Sequence, residues 1–460
     1  GATSPEWTVD TDGIIIGGDS GPGALTIRAG GRVRTTGIVT NFVGYANTGT
    51  LTIEAGGSFR GLALSIGRQS GSNGRVTISG AGALLGTEAL VVGGSGTGTL
   101  TAADGGTVWA GGTGIGSQAG SNGTVLVTGA GTSWRDAFIV VGDSGTGTLT
   151  VADGGTIFYD SSQGENFVSS IGRHTGGNGT ALVTGAGSLW ELESGVRVGD
   201  SGTGVLTIAD GGSVRAVNGT GYANIADQAG SVGTLNIGAA VGSAAAAAGA
   251  LEVGSVAFGA GTGKLVFNHT GNPDGSAYEF APAVISGTGS GSIEQIAGTT
   301  ILSGDSSGFA GTTRVSGGTL VVANKLGSAE GHIGQDAGDT GTVTVAGTDA
   351  AWENSGNLFV GDAGTGTLTV VDGGKVSSKA GVIGSKANSA GTVMVGKDAS
   401  WTMQYDDLTV GSWGEGALTI KDGGTVVSRL GGWIGREAGS KGTVTVTGAG
   451  SSWQVGESPL

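Results

Sequence analysis

The chain has 460 residues, of which 103 are Gly, five Pro and none Cys, with 12% charged residues and a formal net charge of −15. A mean hydropathy of +0.15, with Val, Ile and Leu spread in short runs, excludes a flexible linker, because disordered chains lack that apolar content. The acidic balance excludes a phosphate-neutralising basic surface for nucleic acid or an anionic bilayer. No apolar run reaches the roughly 18 residues of a membrane-spanning helix.

Residues 1–13, beginning "GATSPEWTVD", read as an N-terminal segment without the basic and apolar signature of a signal peptide. From 14 to 234 two sub-repeats alternate, and a fixed period is read before any local motif. The first, V-G-x-x-x-T-G-T-L-T-V-x-x-G-G-x-V, starts at Val43, Val92, Val141 and Val198, and more loosely at Ile16. The second, I-G-x-x-x-G-S-N-G-T-V-x-V-T-G-A-G-S-x-W, starts at Ile66, Ile115 and Ile171, and in part at Ile225. Apolar residues and Thr alternate in Thr148-Leu149-Thr150-Val151, as in a strand with one buried face, and Gly pairs such as Gly154-Gly155 turn the chain. A unit of about 25 residues with three short strands cannot bury its apolar side alone but can do so by stacking on copies of itself. The predicted fold is all-β, a right-handed parallel β-helix of about 18 coils. At roughly 4.8 Å per coil it would be about 85–90 Å long. Leu149, Val151 and Ile157 should point inward, Thr148 and Thr150 outward. A β-propeller is the alternative, but it does not account for the half-repeat.

The tetrapeptide Gly-Asp-Ser-Gly at 18–21, 142–145 and 199–202 has the look of a serine-protease nucleophile. The slot of Ser144 holds Ala363 and Trp413 in sister copies, and only His174 lies near such a motif. A nucleophile needs one serine and a partnered base, so Ser20, Ser144 and Ser201 are read as corner residues. The Asp of "ADGG" and its relatives (Asp104, Asp153, Asp210, Asp372, Asp422) is read as an Asx-turn residue. Neither it nor any other motif supplies the converging oxygens of a calcium site, and no metal or cofactor is expected. Trp134, Trp190, Trp352, Trp401 and Trp453 share a slot that holds Leu85 elsewhere, as a packing position would. Two stretches lengthen a coil, 158–167 ("FYDSSQGENF") and 215–224 ("RAVNGTGYAN"), and extra residues in a solenoid become loops on one side. Tyr159, Asp160, Gln163, Glu165, Asn166 and Asn218 are therefore the candidate interface residues, and no catalytic residue is assigned.

From 235 to 330 the alternation fades, although strand signals persist at 264–267, 299–302 and 318–322, so this stretch is read as divergent coils. The segment 298–328, "GTTILSGDSSGFAGTTRVSGGTLVVANKLGS", resembles the autotransporter-associated β-strand repeat of Gram-negative surface proteins. The flanking "VGDSGTGTLTVADGG" units resemble repeats of the same passengers. The resemblance implies a type V secreted passenger of the AIDA-type adhesin group, at the bacterial surface or secreted. Its implied partners are copies of itself on neighbouring cells, or a host glycan or protein, with an outer-membrane barrel C-terminal to it in the full-length protein. The irregular centre also holds Glu252, Asp274, Glu279, Glu294 and Asp305, which leaves a polysaccharide-degrading β-helix as one alternative and a passive stalk as another.

From 331 to 460 both sub-repeats return (Ile333, Val360, Ile383, Val410, Ile434), and the next V-G strand falls due at the last residue, as expected of a truncated passenger. The alternation leaves Thr, Ser, Asn and Asp outside, so no exposed apolar patch is expected.

Overall fold

A computed structural model of the chain describes residues 5–10, 12–163, 168–287 and 289–456. It is all-β: parallel strands stack coil on coil as a β-solenoid of about 18 turns. The helical element among the described residues is a single 3₁₀ turn, Ser161–Gln163. Two compact units divide the chain. One comprises Gly1–Asn236, Gly249–Ser255 and Gly259–Gly263, the other Ile237–Ala248, Val256–Phe258 and Lys264–Leu460.

In the first unit a coil has a long, a middle and a short strand, as in Thr97–Ala103, Thr107–Ala110 and Thr113–Ile115. Each pairs in register with its counterpart one coil on, Asn122–Thr128, Ser133–Asp136 and Ile139–Val141. The register stacks like on like: Leu51, Val76, Leu100, Val125, Leu149, Ala181 and Leu206 form one inward column, all without solvent exposure. Leu149, Val151 and Ile157 point inward as expected, and Thr148 and Thr150 lie half-exposed outside. A fully buried Val, Leu or Ile stabilises by about 1.5–3 kcal/mol relative to exposure, so every coil depends on its neighbours. In two coils the middle and short strands fuse into nine-residue strands, Ser58–Ile66 and Leu84–Val92.

Two glycines at one corner show why the motif spends so much of this residue. Gly142 has φ +70°, a conformation that side chains disfavour. Gly147, the Gly of T-G-T, has ordinary φ, but a Cβ there would lie 2.2 Å from Gly142 N and 2.6 Å from Ile115 O. The first glycine is dictated by backbone geometry, the second by lack of space.

The second unit repeats the plan, with the inward column Leu320, Val343, Leu368, Val393 and Leu418. The expected strands of the divergent stretch are present at Thr262–Asn268, Thr299–Leu302 and Gly317–Val322. Phe267 packs edge-on against Phe280 at 5.1 Å beside the buried His269. Gly271 N donates to His269 Nδ1 (3.0 Å), which leaves Nε2–H to donate to Thr300 Oγ1 (2.8 Å). Burial pushes this imidazole down to about 4.

Candidate functional site

Ser144 lies in the bend between Ile139–Val141 and Thr146–Ala152. His174 Nε2 stands 3.3 Å from Asp143 Oδ1, with Arg173 at 4.0 Å, so the nearby histidine faces the aspartate of the motif. Asp143 thus meets side chains of the next coil. The equivalent Asp200 takes Arg197 at 3.5 Å and the Ser170 hydroxyl at 3.3 Å. Replacing Ser20, Ser144 and Ser201 together by Ala should shift stability by no more than about 0.5 kcal/mol per site. Urea denaturation checks this, and a loss of several kcal/mol would mean that the hydroxyls are structural.

The "ADGG" aspartates differ from expectation. Asp104, Asp153, Asp210, Asp372 and Asp422 all have φ between 50° and 55°. The N–H two residues on, which an Asx turn would use, donates to a main-chain carbonyl instead (Gly106 to Ala103, Gly155 to Ala152, Gly212 to Ala209). The freed carboxylate accepts from a hydroxyl of the preceding coil: Asp104 from Ser79 (2.8 Å), Asp153 from Thr128 (3.1 Å), Asp210 from Thr184 (3.1 Å). These aspartates tie one coil to the next.

The tryptophan slot is internal. Trp134, Trp190, Trp352 and Trp401 are buried, and Trp453 is half-buried. Several indole N–H groups reach a polar side chain: Trp352 to Ser328 (3.0 Å), Trp401 to Ser378 (3.2 Å), Trp134 to Asp136 (3.0 Å). Asp136 also accepts from the Thr113 hydroxyl and Phe138 N. Its burial raises the carboxyl to about 8 despite these donors.

Of the candidate interface residues, Glu165 and Asn166 lie outside the described residues, and Gln163 is described only as backbone of the 3₁₀ turn. Tyr159 ends the strand Thr156–Tyr159. Asp160 accepts from Trp109 Nε1 (2.7 Å) and Ser162 N (3.0 Å). Desolvation raises this carboxyl, but the bonds from Ser162 and Trp109 and the charge of Arg135 outweigh it and hold it below its ordinary value. Asn218 is exposed at a second, shorter loop. That loop spans only 217–221, because Ser213–Ala216 and Tyr222–Ile225 are strands. The strands that lead into the two stretches, Thr156–Tyr159 and Ser213–Ala216, lie two coils apart in one sheet through the register Thr156–Leu189–Ser213.

Three carboxylates of the irregular centre, Asp274, Asp305 and Glu294, serve local structure. Asp274 accepts from Ser276 Oγ (2.6 Å) and N (2.9 Å), Asp305 from Ser307 N (3.0 Å), and Glu294 pairs with Lys264 at 2.9 Å. Bonds from Ser276 and Ser307 hold Asp274 and Asp305 below the usual carboxylate range.

Sequence reasoning missed a groove in the first unit. Outward positions of successive middle strands align as Thr8, Arg34, Arg60, Gly86, Trp109, Arg135 and Phe158. Arg32 joins Arg34 and Arg60 in lining a cavity of about 870 Å³ that also includes Glu6, Ile38, Glu88 and Trp109. Net charge conceals this local cluster of cations. The signal was available in Arg32-Val33-Arg34, where an inward Val forces both arginines outward. The expectation of an exterior without apolar patches also fails. Tyr405, Leu430 and Trp433 are 63%, 69% and 48% exposed on turns and a strand of adjacent coils, with Trp433 Nε1 donating to Asp407 (3.0 Å) and Arg436 over its ring.

No family model matches the chain. Over 196 residues, 42% of this chain, it is 36% identical to Uncharacterized lipoprotein YdeK of Escherichia coli (strain K12). Over 210 residues, 45% of this chain, it is 29% identical to Uncharacterized protein YuaQ of the same organism. Each alignment spans 14% of the relative's length. A crystal structure of a TibC-catalyzed hyper-glycosylated TibA55-350 fragment aligns over 97% of this chain and 99% of that one, with 14% identity and a TM-score of 0.28. That superposition is too loose to argue from.

Proposed function

We propose that the chain is a stretch of an exported, surface-displayed β-solenoid of the autotransporter-passenger kind, and that it acts as a non-enzymatic adhesin through polar contacts repeated along its coils. The observation that carries this reading is the outward Thr ladder of the long strands. Thr99, Thr124, Thr148 and Thr180 stand in register on successive coils of the first unit, and Thr319, Thr342, Thr367 and Thr392 do so in the second. A single polar contact contributes only about 0.5–1.5 kcal/mol net, but the same group offered at every coil multiplies it once the first contact forms. The resemblance of the repeats to exported passengers points to the same setting.

Cells displaying the chain should aggregate or attach to a glycan-coated surface. The effect should persist at high salt, because few charges take part in the Thr contacts. Trimming 161–167 and 217–221 to the length of sister coils, which spares the flanking strands, should reduce aggregation if the loops contribute. Unchanged aggregation would remove the loops from the account, and absence of both aggregation and attachment in the parent would leave a passive stalk.

A further inference from the structure

We infer that the arginine-lined groove of the first unit binds an acidic polysaccharide whose carboxylates are spaced by neutral sugars. This names a ligand class for the adhesive reading and rests on it only for its biological setting.

Arg32, Arg34 and Arg60 are exposed, and among the described residues none of the three enters an ion pair. Strand register fixes their spacing: Arg34 and Arg60 are direct partners, roughly 4.8 Å apart at the backbone, and Arg32 lies about 6.8 Å from Arg34 along one strand. At this backbone spacing the three side chains serve one site rather than three, and a guanidinium offers a donor fork that fits a carboxylate.

Two features select a sugar polymer. Beyond Arg60 the ladder has no side chain at Gly86, where a Cβ would lie 3.5 Å from Arg60 Cγ and 4.0 Å from Trp109 Cε3. Gly86 is itself buried, so the Arg60 side chain and the Trp109 indole stand beside one another over its backbone. The bond from Trp109 Nε1 to Asp160 fixes that indole, so its ring offers a preset apolar surface to a sugar, at little ordering cost. Glu6 and Glu88 also line the groove. Their charge opposes a dense polyanion such as nucleic acid but suits hydroxyl groups set between carboxylates.

The test is binding of the purified chain to immobilised hyaluronan, in which uronate and neutral sugars alternate, beside dextran and single-stranded DNA. Hyaluronan should bind and dextran should not. Arg34→Ala/Arg60→Ala should weaken binding at least tenfold, and Lys441→Ala, in the other unit, should leave it unchanged. Gly86→Gln drives a side chain between Arg60 and Trp109 without removing a charge, and its Cβ meets both at ordinary contact distance. It should also weaken binding severalfold while far-UV circular dichroism and the melting midpoint stay as in the parent. Failure to bind hyaluronan, equal binding to dextran, tighter binding to DNA, or a Gly86→Gln variant that binds like the parent would each overturn the assignment. Because these assays use no cells, a failure here is distinct from a failure of cells to aggregate.

Discussion

Between pH 4 and pH 8 the stability of the first unit should fall, and Asp136→Asn should abolish that fall. Burial raises the Asp136 carboxyl from 3.8 to about 8. The unfolded chain therefore ionises this group across a window in which the folded one stays protonated. Stability is fully present below about pH 4 and is lost as pH rises through about 8, beyond which the loss levels off. At about 1.4 kcal/mol per pKa unit the loss is on the order of 5 kcal/mol. An Asn at 136 does not titrate, but its amide nitrogen would meet Phe138 N–H where Oδ1 now accepts at 3.2 Å. The variant should thus be about 1–3 kcal/mol less stable than the parent in acid and more stable above pH 8, so the two curves cross. In the second unit His269, lowered to about 4, acts oppositely. Its contribution is present above about pH 6.5 and lost as pH falls toward 4. The difference between parent and variant isolates Asp136. Melting curves recorded at intervals from pH 4 to 9 settle the matter, and parallel curves would show that Asp136 is ionised in the fold.

Trp401→Ala should cost about 3–5 kcal/mol, the range for emptying a buried aromatic site, and Trp401→Leu clearly less. The ring is fully buried, lies where a Cβ on Gly381 would come within 2.6 Å of its Cζ2, and donates to the buried Ser378 hydroxyl at 3.2 Å. Alanine leaves a cavity and removes that donor. Leucine restores much of the volume and is already the fully buried occupant of the same slot at Leu85. Urea denaturation followed by far-UV circular dichroism gives both values. An Ala variant within 1 kcal/mol of the parent would contradict a packing role, and a Leu variant as damaged as Ala would mean that the indole N–H, not the volume, is what matters.

The coil plan was legible because one physical rule repeats. Alternation in Thr148–Val151 places Leu149 and Val151 inside, and a slot that accepts both Trp134 and Leu85 reads as packing. Asp136 was not legible from "SWRD" alone. Parity from Trp134 puts it inside, and its sister positions Leu192, Asn354 and Met403 are internal, but a carboxylate is normally a surface group. The groove was hidden for another reason. Arg34, Arg60, Gly86 and Trp109 come together only through the register of the middle strands, whereas the repeat motif is anchored on the corners and is weakest in the first coils. The "ADGG" aspartates were misjudged because an Asx turn and a left-handed residue share the same sequence signature, and only φ separates them.

Register also bears on how such a chain can change length. Val92 and Val141 occupy equivalent ends of their strands, and the glycines that follow them have φ of 77° and 70°. Recombination between the two copies would delete Gly93–Val141 and rejoin Val92 to Gly142 with an inward residue still facing an inward one at the seam. The deleted block carries Trp109 and Arg135, so Phe158 would become the neighbour of Gly86. Copy number would then act as a dial on ligand preference: lineages could trade one face for another by gaining or losing whole pairs of coils, without a single point substitution.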